Sequence, residues 1–102
     1  MSALTSTYNA VSSALSEALH PVTVAEVTMR YVGGSHTRNV LENLFDIPAD
    51  TEIHRAIRRL ETLANRERLA RERLHHSFDP NRLLALLMQK NALEKALAME
   101  AA

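Results

Sequence analysis

Ten of the twelve cationic side chains in this 102-residue sequence are arginine, and seven of those, Arg55, Arg58, Arg59, Arg66, Arg68, Arg71 and Arg73, fall within residues 51–76. Only Glu52, Glu61, Glu67 and Glu72 oppose them there, so the stretch carries a net +3. Arginine offers a planar fork of donors that matches phosphate, guanine edges and carboxylates. Arg55 and Arg59 stand one helical turn apart and Arg58 three residues beyond Arg55, which puts all three on one arc of a helix. Thr51 and His54 add shorter polar groups at its start. The plainer use of the same residues is a solvated helix laced with ion pairs four residues apart, such as Glu67 with Arg71.

The remainder of the chain cancels this charge. Residues 1–50 hold two Arg against five carboxylates, a net −3, and residues 77–102 are neutral, so the total is zero with the five His uncharged. Non-specific affinity for nucleic acid comes from neutralising phosphates. Contact with DNA is therefore expected from residues 51–76 alone, with the acidic side chains facing elsewhere.

Other chemistry has little to build on. His75 and His76 are the only adjacent histidines, and neighbours on a helix point about 100° apart, too far to share a metal well. There is no cysteine, which removes thiolate catalysis and disulfides and fits a reducing compartment. No zinc-protease, P-loop or dinucleotide motif is present. The expectation is a non-enzyme without metal or cofactor. The longest apolar run, Leu83 to Met88, is six residues, so no membrane span or secretory signal is expected and the chain is placed in the cytoplasm.

The elements that must position the arginines follow from spacing. Two Gly, three Pro and four aromatics point to one all-α, or mostly α, domain over residues 1–102. Leu4, Tyr8, Val11, Leu15 and Leu19 predict a first helix ending before Pro21. Val22 to Val32 suits a helix opened by a Thr23/Glu26 capping box, although Val22, Thr23 and Val24 also suit a short strand. Gly33-Gly34 reads as a stop with Ser35 as the next cap. A helix from about His36 to Asp46 would bury Val40, Leu41, Leu44 and Phe45. Another, started by Asp50 or Thr51, carries the stripe Ile53, Ile57, Leu60 and Ala64. Beyond Asn65 the chain continues as helix, with Leu63, Ala70 and Leu74 on one side, or bends into a hairpin. Asp79 and Pro80 predict a cap and first residue for a last helix over 80–100. Its Leu and Met residues cover a wider arc than one packing face needs, which suggests a dimer seam.

Taken together, Thr37 to Asp46, the turn Ile47-Pro48-Ala49-Asp50, and Thr51 to Leu63 resemble the helix-turn-helix of the winged-helix DNA-binding superfamily, over residues 36–64. The resemblance implies that Ile47 is the buried turn residue and Thr51 opens a recognition helix. Ile53, Ile57 and Leu60 would pack on the preceding helix, and Glu52, His54, Arg55, Arg58, Arg59 and Thr62 would face outward. Glu52 could accept from a cytosine amine, and the helix N-terminus could attract a phosphate. The turn position that often carries Gly holds Asp46, which tolerates a left-handed backbone. Residues 65–78 have no β-branched residue, so the wing is expected to be absent or rudimentary. A second placement sets Val24–Val32, Gly33-Gly34 and Ser35–Phe45 as helix, turn and helix, with Arg30, His36, Arg38 and Asn39 as its contact surface.

The sequence therefore reads as a small, sequence-specific, double-stranded DNA-binding protein acting as a homodimer, a transcriptional regulator or accessory factor of bacterial or phage type. Arg55, Arg58 and Arg59 would touch DNA, Thr51 and His54 would assist, and Arg66, Arg68, Arg71 and Arg73 would attract the backbone. The alternative is a helical interaction module that grips an acidic partner protein through the same face.

Overall fold

Thr23 caps the first described helix as the sequence predicts. Its hydroxyl accepts from the Glu26 amide at 3.3 Å while the Glu26 carboxylate accepts from the Thr23 amide at 3.4 Å, a reciprocal cap that satisfies two otherwise orphaned donors. The computed structural model describes residues 22–101, and the helix expected over residues 4–19 lies outside them. Among the described residues there are four helices: α1 (Val24–Thr28), α2 (Gly34–Phe45), α3 (Ile53–Glu72) and α4 (Pro80–Ala101). The domain is all-α, and the wing's hairpin has no counterpart among these residues.

Helix α1 is shorter than the predicted Val22–Val32. Thr28 turns its hydroxyl back onto the Val24 and Ala25 carbonyls at 2.7 and 3.2 Å, competing with continuation of the helix. The strand alternative survives as one antiparallel bridge between Thr23 and Glu52. Around it the Val24 and Ala25 amides donate to the Thr51 and Ala49 carbonyls, and the Ile53 amide donates to Val22. The first-turn amides of α1 and α3 are thus each satisfied by carbonyls of the segment leading into the other helix.

The cap of α2 is Gly33 rather than Ser35. Gly33 has φ 90°, a left-handed conformation, and offers no side-chain cap. Gly34 is required for space: a Cβ there would sit 1.7 Å from the Thr28 carbonyl oxygen, so only glycine lets α2 start this close to α1. At the far end Asp46 adopts φ 54° and its amide donates to the Leu41 carbonyl, a left-handed turn that Asp tolerates where Gly is more usual, and Ile47 is buried after it. Leu41 and Phe45 are buried and Val40 partly so, but Leu44, expected in the core, is 60% exposed.

Helix α3 starts one residue later than Thr51, and two later than Asp50, would set it, with Glu52 as cap. It continues without a hairpin to Glu72 and ends at Leu74, a left-handed residue with φ 51°. Leu74 is 92% exposed instead of lining the apolar side. Glu67, expected as a surface partner of Arg71, is buried and its carboxylate accepts from the Asp79 amide at 3.4 Å, tying the 73–79 loop to α3. The Asp79 side chain caps α4 by accepting from the Asn81 and Arg82 amides at 2.9 and 3.3 Å, as the Asp-Pro pair predicts.

The core runs along the seam of α3 and α4, the closest helix pair, where Ile53, Ala56 and Leu60 are buried, as are Leu83, Leu86 and Leu93. Helix α1 packs on α2 and α4, while the backbones of α2 and α3 approach each other only weakly. This corrects one expectation. The stripe of Ile53, Ile57 and Leu60 does not hold α3 chiefly against the preceding helix. Its main backing is α4, because a 22-residue helix running beside α3 offers more apolar surface than the end of α2.

Candidate nucleic-acid interface

With Ile53, Ala56, Leu60, Leu63, Ala64 and Glu67 buried, the outward side of α3 is fixed by its own periodicity of about 100° per residue. Arg55, Arg59 and Arg66 fall together on it, flanked by Arg58 and Thr62, and all five are exposed. From Arg55 to Arg66 the stripe runs about 16 Å along the helix axis. Arg73, just past the last turn, extends the same line. Glu61 and Glu72 project from other sides of the helix. Among the described residues the guanidinium groups of Arg55, Arg59 and Arg66 enter no ion pair.

The other arginines are placed differently. Arg68 is half-buried, donates to the Asn65 side-chain oxygen at 2.8 Å, and lies toward α4, close enough to Lys90 for the two cations to repel each other. Arg71 is exposed but sits about 140° around the helix from Arg66. The structure therefore gathers four of the seven, Arg55, Arg58, Arg59 and Arg66, continues their line with Arg73, and sets Arg68 and Arg71 apart.

The N-terminus of α3 offers no anion site. The Ile53 amide is taken by the Val22 carbonyl, the His54 and Arg55 amides by the Glu52 carboxylate at 2.6 and 3.2 Å, and the Ala56 amide by the Glu52 carbonyl. The same carboxylate holds His54 Nδ1 at 2.8 Å. Glu52 is thus committed to capping and is not an outward acceptor for cytosine, and His54 is half-buried beside it. Thr51 contributes its carbonyl to α1 and stands before the helix, off the arginine stripe. Sequence spacing located the stripe but missed the plug, which depends on residues 22–25 folding back from thirty positions upstream.

The α1–α2 pair, the second placement, has the tighter turn. Ser35, His36 and Asn39 are exposed on α2, and Arg38 is half-buried. No carboxylate stands in the first turn of α2.

Among the described residues, no group of three or more His, Asp or Glu could hold a metal ion, and no helix is long and apolar enough to cross a membrane. His75 and His76 stack with ring centroids 4.3 Å apart, and His75 Nδ1 engages the Ser77 hydroxyl at 2.6 Å. No protein-family model matches this chain, and no curated protein or solved structure matches it significantly.

Proposed function

We propose that the protein binds double-stranded DNA through the outward side of α3 and acts as a small cytoplasmic regulator or accessory DNA-binding factor. The observation that carries this reading is the stripe of Arg55, Arg59 and Arg66, backed by Arg58 and Arg73, with no carboxylate among them. Its length of about 16 Å, extended by side-chain reach, is comparable to the roughly 12 Å width of the major groove. The stripe can therefore bridge phosphates on both sides of a groove. Because Glu52 and the 22–25 segment occupy the helix N-terminus, contact is made by the side of the helix, and phosphate attraction outweighs base reading.

The test is duplex binding measured across salt concentrations. Replacing Arg55, Arg59 and Arg66 together by Ala lowers affinity and flattens the dependence of log K on log salt by about 2.7, the loss of three phosphate contacts. Binding that is insensitive to salt, or unchanged in the triple variant, rules the reading out.

A second copy completes the proposal. Leu84, Met88 and Met99 are exposed along the outer side of α4, and pairing there would present two arginine stripes to one duplex. Sedimentation as a monomer at tens of micromolar would remove this part. A protein partner is the competing occupant of the stripe, favoured by the half-exposed Leu69 that interrupts it. An acidic helical peptide that binds with duplex DNA failing to compete would establish that alternative.

A further inference from the structure

Leu44, which helical spacing assigns to the core, is exposed on α2, and the wide apolar arc of α4 leaves Leu84, Met88 and Met99 exposed. All four border one groove between α2 and α4. At one end a hollow of about 440 Å³ is bounded by Val32, His36 and Thr37 on the α2 side and by Met88, Ala92 and Met99 on the α4 side. At the other end a hollow of about 270 Å³ is bounded by Leu44 and Phe45 facing Arg82 and Ala85. Residue numbers rise along α2 as they fall along α4, so the two hollows belong to one channel between antiparallel helices. With Val32, five of the eight large apolar side chains exposed among the described residues bound this single face. Singly scattered apolar residues need no explanation, but a contiguous set marks an interaction surface.

The surface is complementary to itself. The α4 ridge of Leu84, Met88 and Met99 stands beside a groove lined by the smaller Thr37, Ala85 and Ala92. A two-fold axis seats each ridge in the other copy's groove, making every contact twice. The area is sufficient: the chain exposes 7078 Å², about 1,300 Å² more than a folded monomer of its 11.4 kDa, and a standard interface takes about 800 Å² from each partner. Charge sets the direction. Lys95 lines the groove near Met88, and no Asp or Glu lines that end. Parallel pairing would put the Lys95 ammonium groups of both copies side by side, whereas antiparallel pairing about the middle of the ridge separates them by about 10 Å along the axis.

We infer that a second copy docks antiparallel in the α2–α4 groove, with Leu84 of one copy against Met99 of the other and the two-fold axis beside Ala92. The inference rests on the self-association proposed above and adds α2 to a contact otherwise confined to α4. Its test involves no nucleic acid.

Sedimentation equilibrium and thiol crosslinking supply that test. Leu44→Lys weakens self-association at least about tenfold, the effect of a charge placed in a packed interface. Leu69→Lys, at an exposed leucine of α3, leaves it unchanged. The chain has no cysteine, so variants with a single thiol report the direction of pairing. With a short bismaleimide, Ala92→Cys crosslinks to itself. Leu84→Cys does not, because its two copies stand about 22 Å apart along the helices, but a mixture of Leu84→Cys and Met99→Cys does. If Leu44→Lys associates like the parent, or Leu84→Cys crosslinks to itself as readily as Ala92→Cys, the inference is overturned while pairing through α4 stands. A parent that is monomeric at tens of micromolar overturns both. An Ala92→Cys thiol that then resists labelling assigns the groove to the chain's own residues 4–19 instead.

Discussion

Helices α3 and α4 share one seam and are nearly equal in length, yet their outer sides have opposite chemistry. The outside of α3 is a line of arginines with Thr62 and Leu69 between them, whereas the outside of α4 exposes Leu84, Met88 and Met99. A helix with one apolar stripe and one charged side announces its orientation, since only one rotation buries the apolar residues. A helix apolar over most of its circumference does not, and its rotation is settled by what packs on it. For α3 the buried Ile53, Leu60 and Ala64 were therefore predictable from spacing, whereas Ile57 is half-buried and Glu67, read as surface, is buried. For α4 the choice between Leu83, Leu86 and Leu93 as core and Leu84 and Met88 as surface is made by α3 and α1.

The strongest way to break this contrast is to attack the seam from both sides. Leu60 on α3 and Leu86 on α4 are fully buried, and truncating a buried leucine costs about 2–5 kcal/mol, with the cavity adding to the lost transfer energy. Leu60→Ala and Leu86→Ala should lower the urea midpoint by similar amounts without changing its slope. A large loss in one and none in the other would mean that the two helices do not share a core.

On the outer sides, stability and binding should separate. The triple replacement of Arg55, Arg59 and Arg66 by Ala is expected to reduce duplex affinity about a hundredfold at moderate salt while shifting unfolding by no more than about 0.5 kcal/mol, since these side chains are exposed and unpaired. Met88→Glu should leave duplex attraction per chain intact and abolish self-association. A triple variant that unfolds would make the stripe structural, and the contrast with α4 would lose its functional meaning.

How much of this was legible in the sequence depends on distance along the chain. Local signals were read correctly: the Thr23/Glu26 box, the Asp79-Pro80 start of α4, the left-handed Asp46 and the arc of Arg55, Arg58 and Arg59 all lie within a few residues of their partners. Features made by distant segments were not. The Glu67 contact with Asp79 spans twelve residues, and the backing of Ile53 and Leu60 comes from a helix that begins about thirty residues away. Gly33-Gly34 was legible as a stop but not as a close approach, because the Thr28 carbonyl that forbids a Cβ at Gly34 is a tertiary neighbour. A groove between the α1–α2 turn and α4 belongs to the same class, with Tyr31 and Met88 lining it from stretches more than fifty positions apart.

Tyr31 gives the next effect in size. Its hydroxyl is buried without a partner, so Tyr31→Phe removes an unmet desolvation cost and is expected to stabilise the protein by about 1 kcal/mol. Thermal unfolding should show a higher midpoint with no change in helicity. A lower midpoint would mean that the hydroxyl is satisfied in solution.

The smallest effect lies on the flank of the seam, where Lys90 of α4 donates to Glu94 at 2.8 Å. This hydrogen bond, opposed by partial burial and helped by the charges of Glu94 and Glu61, holds the Lys90 ammonium above its ordinary value of 10.5. A cation whose pKa is raised on folding contributes stability that is fully present below the unfolded value and is lost as pH rises through the folded one. Both side chains are solvent-accessible, so the contribution is screened and amounts to about 0.3 kcal/mol. Glu94→Gln should therefore sit slightly below the parent in unfolding free energy at pH 9, and the difference should shrink by pH 11.5. A gap that stays constant from pH 9 to pH 11.5 would move the controlling titration away from Lys90. A gap of more than about 1 kcal/mol at pH 9 would place this pair within the buried seam, erasing at that point the distinction between the inner and outer sides of α4.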